Sequence, residues 1–131
     1  MRRRNEQGGQ TLVEFALVLP LLLMILFAIC QYGFLFYTYI SVNQAAREGA
    51  RHAAVGAADA AIVTKITATV ALDPAMLAIA ITPAERISGE EVTVSVSVAK
   101  ANLLILPFVG SYLPDNLVGK VVMRVEKDYS P

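Results

Sequence analysis

The sequence predicts an α+β fold: a long N-terminal helix that crosses a membrane and projects beyond it, then a short helix and a small antiparallel sheet of about three strands. Three observations carry this. No Asp, Glu, Lys or Arg occurs from residue 15 to residue 46, a gap of 32 residues. Downstream, short segments alternate apolar and polar side chains as half-buried strands do. The chain of 131 residues is 56% apolar and 17% charged, against roughly 45–50% and about 25% in soluble domains. That apolar content rules out disorder, and the length allows one small domain plus one further element.

The first element is the apolar run. Residues 15–30 are 16 consecutive side chains without a polar group, and the apolar character continues past Gln31 to Tyr39 and Ile40. About 20 residues at 1.5 Å rise cross a ~30 Å hydrocarbon core, which residues 15–37 satisfy. Tyr32, Tyr37 and Tyr39 stand where an outer aromatic belt would lie. Pro20 is a helix-breaker that membrane helices tolerate with a kink. A domain this small has too little core to surround such a helix on all sides.

Charge orients the segment. Residues 1–9 carry Arg2, Arg3 and Arg4 against Glu6, a net of +2, and the other 122 residues hold eight basic and ten acidic groups, a net of −2. The positive-inside rule then puts the N-terminus in the cytoplasm and the C-terminal bulk outside, in a single pass. The apolar run is too long for the 7–15-residue core of a cleaved secretory signal, and Ala28-Ile29-Cys30 makes a poor cleavage site.

The next element is a projecting stalk. Ala46, Gly49, Ala50, Ala53 and Ala54 form a small-residue stripe at three- and four-residue spacing, which permits close backbone approach. Arg47 and Arg51 lie one turn apart, and Glu48 reaches Arg51 or His52. Such a surface suits the chain's own sheet or a partner helix. One helix over residues 12–55 would run about 66 Å. Gly56 ends it.

The outer domain follows. Asp59 is expected to N-cap a second helix lined by Ile62, Val63, Ile66 and Val70, and Asp73-Pro74 to end it. Residues 77–82 form a short strand stopped by Pro83. Residues 91–99 are the clearest strand, with Val92, Val94, Val96 and Val98 alternating with Thr93, Ser95 and Ser97. Residues 120–126 alternate again. Between these two runs the apolar connection from Leu103 to Pro114 either caps the core or inserts into a partner or the membrane surface. Glu90-Glu91 reads as a charged lead-in to a strand.

The N-terminal motif carries the strongest signal. Gly8-Gly9-Gln10-Thr11-Leu12-Val13-Glu14 resembles a type IV prepilin processing site, a glycine at the cut and a glutamate five residues after it. Glycine lets an extended backbone enter a peptidase cleft. A carboxylate at the hydrocarbon edge must find a partner or protonate, unless Glu14 simply snorkels to the headgroups. Together with Asn43-Gln44-Ala45-Ala46-Arg47-Glu48-Gly49-Ala50-Arg51-His52-Ala53-Ala54, the motif resembles the TadE-like family, pilin-related proteins of the Tad (tight adherence, Flp pilus) apparatus. The resemblance is strong over residues 8–56 and only general beyond.

It implies a basic leader at residues 1–9 cut between Gly9 and Gln10, a transmembrane and stalk helix at 10–56, and a small extracytoplasmic domain at 57–131, in the manner of type IV pilins. It implies that Glu14 meets the new α-amine of Gln10 in a neighbouring subunit, and that Ala46, Arg47, Glu48, Gly49 and Arg51 form a contact motif. Its implied partners are a prepilin peptidase, other pilins and pseudopilins, the Tad assembly platform and membrane lipid, at the bacterial cytoplasmic membrane. Many type IV pilins carry Phe or Met where Gln10 stands, so N-methylation does not carry over.

No catalytic chemistry is legible. There is no nucleophile–base pair, no phosphate-cradling glycine loop, and no metal-ligand spacing around Cys30 or His52. Zero net charge and no basic patch beyond the leader speak against nucleic acid. No cofactor, metal or small-molecule substrate is implied. The two functions left are a minor pilin or pseudopilin of a Tad pilus and an uncleaved, membrane-anchored binding module.

Overall fold

A computed structural model of the chain describes residues 4–103 and 114–130. The first three residues of the expected leader and most of the apolar connection lie outside them. Helix α1 (Arg4–Ala54) is a single run of 51 residues, about 76 Å long at helical rise. It starts eight residues earlier than expected, runs through Gly8 and Gly9, and passes Pro20 without interruption. Helix α2 (Asp59–Thr69), β1 (Leu77–Thr82), β2 (Glu91–Ala99) and β3 (Asn116–Arg124) follow, with single 3-10 turns at Pro74–Met76 and Lys100–Asn102.

The two halves of α1 live in different surroundings. From residue 9 to residue 30 no side chain is buried. From Gln31 onward one face turns inward: Gln31, Leu35, Thr38, Val42, Ala45, Ala46, Gly49 and Ala53 are buried. Their spacing of three and four residues is a single helical stripe. The sheet and α2 pack on that stripe, so the stalk helix supplies one wall of the head's core. Polar groups on the buried stripe are matched locally. Gln31 donates from Nε2 to the Leu103 carbonyl at 2.8 Å, and Thr38 donates to the Phe34 carbonyl at 3.0 Å.

The sheet is an antiparallel meander, ordered β1-β2-β3. The register sets Leu77 beside Val98 and Val98 beside Leu117 at one end, and Thr82, Thr93 and Val122 together toward the other. Val92, Val94, Val96 and Val98 are all buried against α1, while Thr93, Ser95 and Ser97 face outward. This is the alternation that a one-sided antiparallel sheet requires.

Contact between sheet and helix is at backbone distance. A Cβ on Gly119 would lie 2.7 Å from the Val42 carbonyl oxygen and 3.0 Å from the Asn43 Cα. A Cβ on Gly49 would lie 2.6 Å from the Ile66 Cδ1. Strand β3 thus climbs alongside α1, Leu117 near Tyr39 and Met123 near Arg51 and Ala54.

Three boundaries differ from expectation. The third strand covers Asn116–Arg124, not residues 120–126, because Gly119 interrupts the apolar alternation exactly where the helix backbone needs room. Helix α2 ends at Thr69, short of Asp73-Pro74, since Val70 turns extended and buries its side chain. Asp73 instead accepts from the Ala75 N–H at 2.9 Å and caps the 3-10 turn. Finally, Asp59 does not N-cap α2. Ala58 holds that position without a side-chain hydrogen bond, and Asp59 is the first helical residue.

The two glycine contacts differ in what must yield. At Gly119 an added methyl meets fixed helix backbone, and at Gly49 it meets the flexible end of Ile66. Gly119→Ala is therefore expected to destabilise the head by about 1–3 kcal/mol. Gly49→Ala should cost less, since Ala gains up to ~1 kcal/mol of helix propensity over Gly. Thermal unfolding of both full-length variants in detergent, followed by circular dichroism, checks that order.

Candidate functional site

Helix α1 carries both sequence-derived sites, one at each end of its exposed apolar stretch. At the N-terminal end, Gln10 donates from Nε2 to Glu14 Oε1 at 3.0 Å, one turn apart on an exposed surface. Gly9 is helical, and a Cβ there would meet nothing within 4 Å. Neither a close neighbour nor a positive φ calls for glycine at that position. Gly33 is equally open, so openness distinguishes Gly9 only in combination with Glu14 five residues on.

At the far end, the contact motif divides between two faces. Ala46 and Gly49 are buried in the core of the same chain, Gly49 against Ile66 of α2 and Val94 of β2, and Arg47 and Arg51 are exposed. Glu48 is partnered by His52, with 3.1 Å between Oε1 and Nε2; of the two partners open to it, the i+4 neighbour is taken. The small residues thus serve intramolecular packing, and the outward arginines remain on the free face of the stalk.

Sequence reasoning missed the group that closes the head. Arg86, between β1 and β2, is completely buried. Its Nη1 donates to Asp59 Oδ1 and its Nη2 to the Ala57 carbonyl, both at 2.7 Å. The Tyr129 ring lies 4.2 Å from its guanidinium carbon, within cation–π range. Its Nε has no hydrogen-bond partner among the described residues. Arg86 and Tyr129 also exchange backbone hydrogen bonds at 2.9 and 2.8 Å.

The same C-terminal tail caps α1. The N–H groups of Glu126 and Lys127 donate to the Ala54 carbonyl at 2.7 and 3.2 Å, satisfying a helix end that would otherwise lack a partner. Gly56 turns the chain with φ +76°, and a Cβ there would lie 3.0 Å from the Asp128 carbonyl oxygen. No local pattern announces Arg86, since its partners lie 27 to 43 positions away in sequence. At the opposite end of the sheet, Lys100 donates to Asp115 at 2.8 Å and holds that exposed carboxyl below its ordinary range.

The architecture is one apolar helix, free over its first half, with a small α+β domain built on its second. Residues 9–51 match the family model of TadE-like proteins. The match takes in Gly9, Gln10, Glu14 and the run from Ala46 to Arg51, and ends within α1. No curated protein and no solved structure matches the chain. The match spans about a third of the chain. The apolar helix is consistent with membrane anchoring.

Breaking the Arg86 cluster should unfold the head and spare the helix. Removing one partner of a buried ion pair costs about 3–5 kcal/mol. Asp59→Ala is expected to reach that range, because it leaves the fully buried Arg86 guanidinium without its counter-charge, and Arg86→Ala destabilises instead through lost packing and two lost hydrogen bonds. Limited proteolysis of membranes bearing each variant reads this as cleavage within residues 57–130 at lower protease in both variants than in the unaltered chain.

Proposed function

We propose that this chain is a pilin-like membrane protein, a minor pilin or pseudopilin, that takes part in Tad/Flp-type pilus assembly through protein–protein contacts. A prepilin peptidase cuts it between Gly9 and Gln10. The mature helix stays in the bacterial cytoplasmic membrane in a single pass, with the head on the extracytoplasmic side, where it meets other pilins or pseudopilins and the assembly platform. The basic leader sets that orientation by the positive-inside rule.

One observation carries the reading. Gly9 sits in a helix where nothing packs against it, at about 1 kcal/mol relative to alanine, and Glu14 stands five residues on at the mouth of an apolar stretch with no buried side chain up to residue 30. Structural need does not account for that pair, and peptidase recognition followed by subunit pairing does. The Gln10 amide already lies within hydrogen-bond reach of the Glu14 carboxylate. Cleavage would add a positive α-amine at residue 10, the natural counter-charge for Glu14 of a neighbouring subunit.

The mass of the protein recovered from cells with an active prepilin peptidase tests this. A mature chain beginning at Gln10 is expected, and an intact leader would contradict processing and leave an uncleaved, membrane-anchored binding module. Separately, Glu14→Ala should leave membrane insertion unchanged and reduce surface pili severalfold. Normal piliation in that variant would remove Glu14 from assembly.

A further inference from the structure

The uncovered part of α1 is too short to cross a bilayer. Charge ends at Glu14, and the head begins to cover the helix at Gln31. The 16 residues between them, 15–30, extend about 24 Å, short of a ~30 Å hydrocarbon core. Tilting the helix only increases the shortfall. Four more residues complete the core near Phe34, and the headgroup layer adds four or five, to Tyr39. Over that stretch α1 already carries the lower edge of the sheet.

That edge has the surface such a position needs. Tyr32, Leu35, Phe36, Tyr39 and the β3 residue Leu117 line an apolar groove between helix and sheet. Phe36 is 66% exposed and Tyr39 47%. The polar side chains at this level, Gln31 and Thr38, are turned into the head. The Lys100–Asp115 pair lies at the same end of the sheet, next to Ala99 and Asn116, at a depth suited to headgroups.

We infer that the head does not stand clear on its stalk: its base is seated in the outer interface of the membrane, and phospholipid acyl chains fill the groove of Tyr32, Leu35, Phe36, Tyr39 and Leu117. This rests on the reading that α1 crosses the membrane. The competing arrangement slides α1 toward the cytoplasm until residues 12–31 form the span, which sinks the Glu14 carboxylate below the hydrocarbon edge. The uncharged run from residue 15 to residue 46 favours the seated head, because it continues 16 residues past the last uncovered one.

The chain has no tryptophan, so single introduced tryptophans report depth. Full-length Leu26→Trp, Leu117→Trp and Val122→Trp are reconstituted in phosphatidylcholine vesicles with brominated acyl chains. Leu26 reports the span, Leu117 the groove, and Val122 a point about 16 Å further up β3. Leu26→Trp and Leu117→Trp are each expected to lose about half their emission or more relative to unbrominated vesicles, since interfacial groups reach ~5–10 Å into the acyl boundary. Val122→Trp should change little.

Quenching at Leu26→Trp without quenching at Leu117→Trp would overturn the seated head while leaving the membrane crossing intact. The same pattern with Leu117→Trp emission that depends on protein-to-lipid ratio would assign the groove to a second copy, and also overturns it. Absence of quenching at Leu26→Trp would contradict the crossing itself. If Leu117→Trp does not fold, Phe36→Trp, on the exposed side of the same groove, takes its place with the same expected result.

Discussion

Everything in the head depends on how closely a three-stranded sheet can approach one helix. A sheet of this size has a single apolar face and needs a partner surface to be stable. Helix α1 offers one along its buried stripe, and the approach is closest where its side chains shrink, from Val42 through Ala45, Ala46, Gly49 and Ala50 to Ala53. There the valines of β2 reach the helix, and Gly119 lets β3 lie against the Val42 backbone. The second wall is α2, whose Ile62 and Ile66 complete the core, with Ile66 in the notch left by Gly49.

The same helix is long and apolar enough to cross a membrane, and its two halves differ in sequence. Over residues 15–30 it is apolar all round, as a surface facing lipid should be. From Gln31 it becomes two-sided, small and buried toward the sheet, large or charged away from it. The far end is closed by long-range contacts. Arg86 joins the β1–β2 loop to the start of α2 and to Tyr129, while the tail N–H groups cap α1 at Ala54. Head and stalk are therefore one folded unit, and a force on the helix is transmitted directly to the sheet.

The sequence revealed the parts whose cause is local. Strand β2 was legible because four valines alternate with three hydroxyl-bearing residues, and the long apolar helix because 32 positions carry no charge. The α1 terminus was legible from Gly56. What was hidden depends on distant partners. The start of β3 was misjudged because Gly119 breaks the pattern in order to meet Val42. Asp59 looked like a cap because its demand for a counter-charge, Arg86, comes 27 positions later. Of the candidate sites, the small residues Ala46 and Gly49 were legible as a close-packing surface, but not whose surface they would meet; that was decided by the sheet of the same chain.

If the second half of α1 is a wall of the head's core, the head should fold with it and fail without it. Thermal unfolding of a fragment of residues 31–131, beside a fragment of residues 55–131, measures this directly. A cooperative transition is expected for the longer fragment and none for the shorter, which lacks the buried stripe from Gln31 to Ala53. A cooperative transition of similar midpoint in both fragments would contradict it, because the sheet and α2 would then form a core that does not need the stalk.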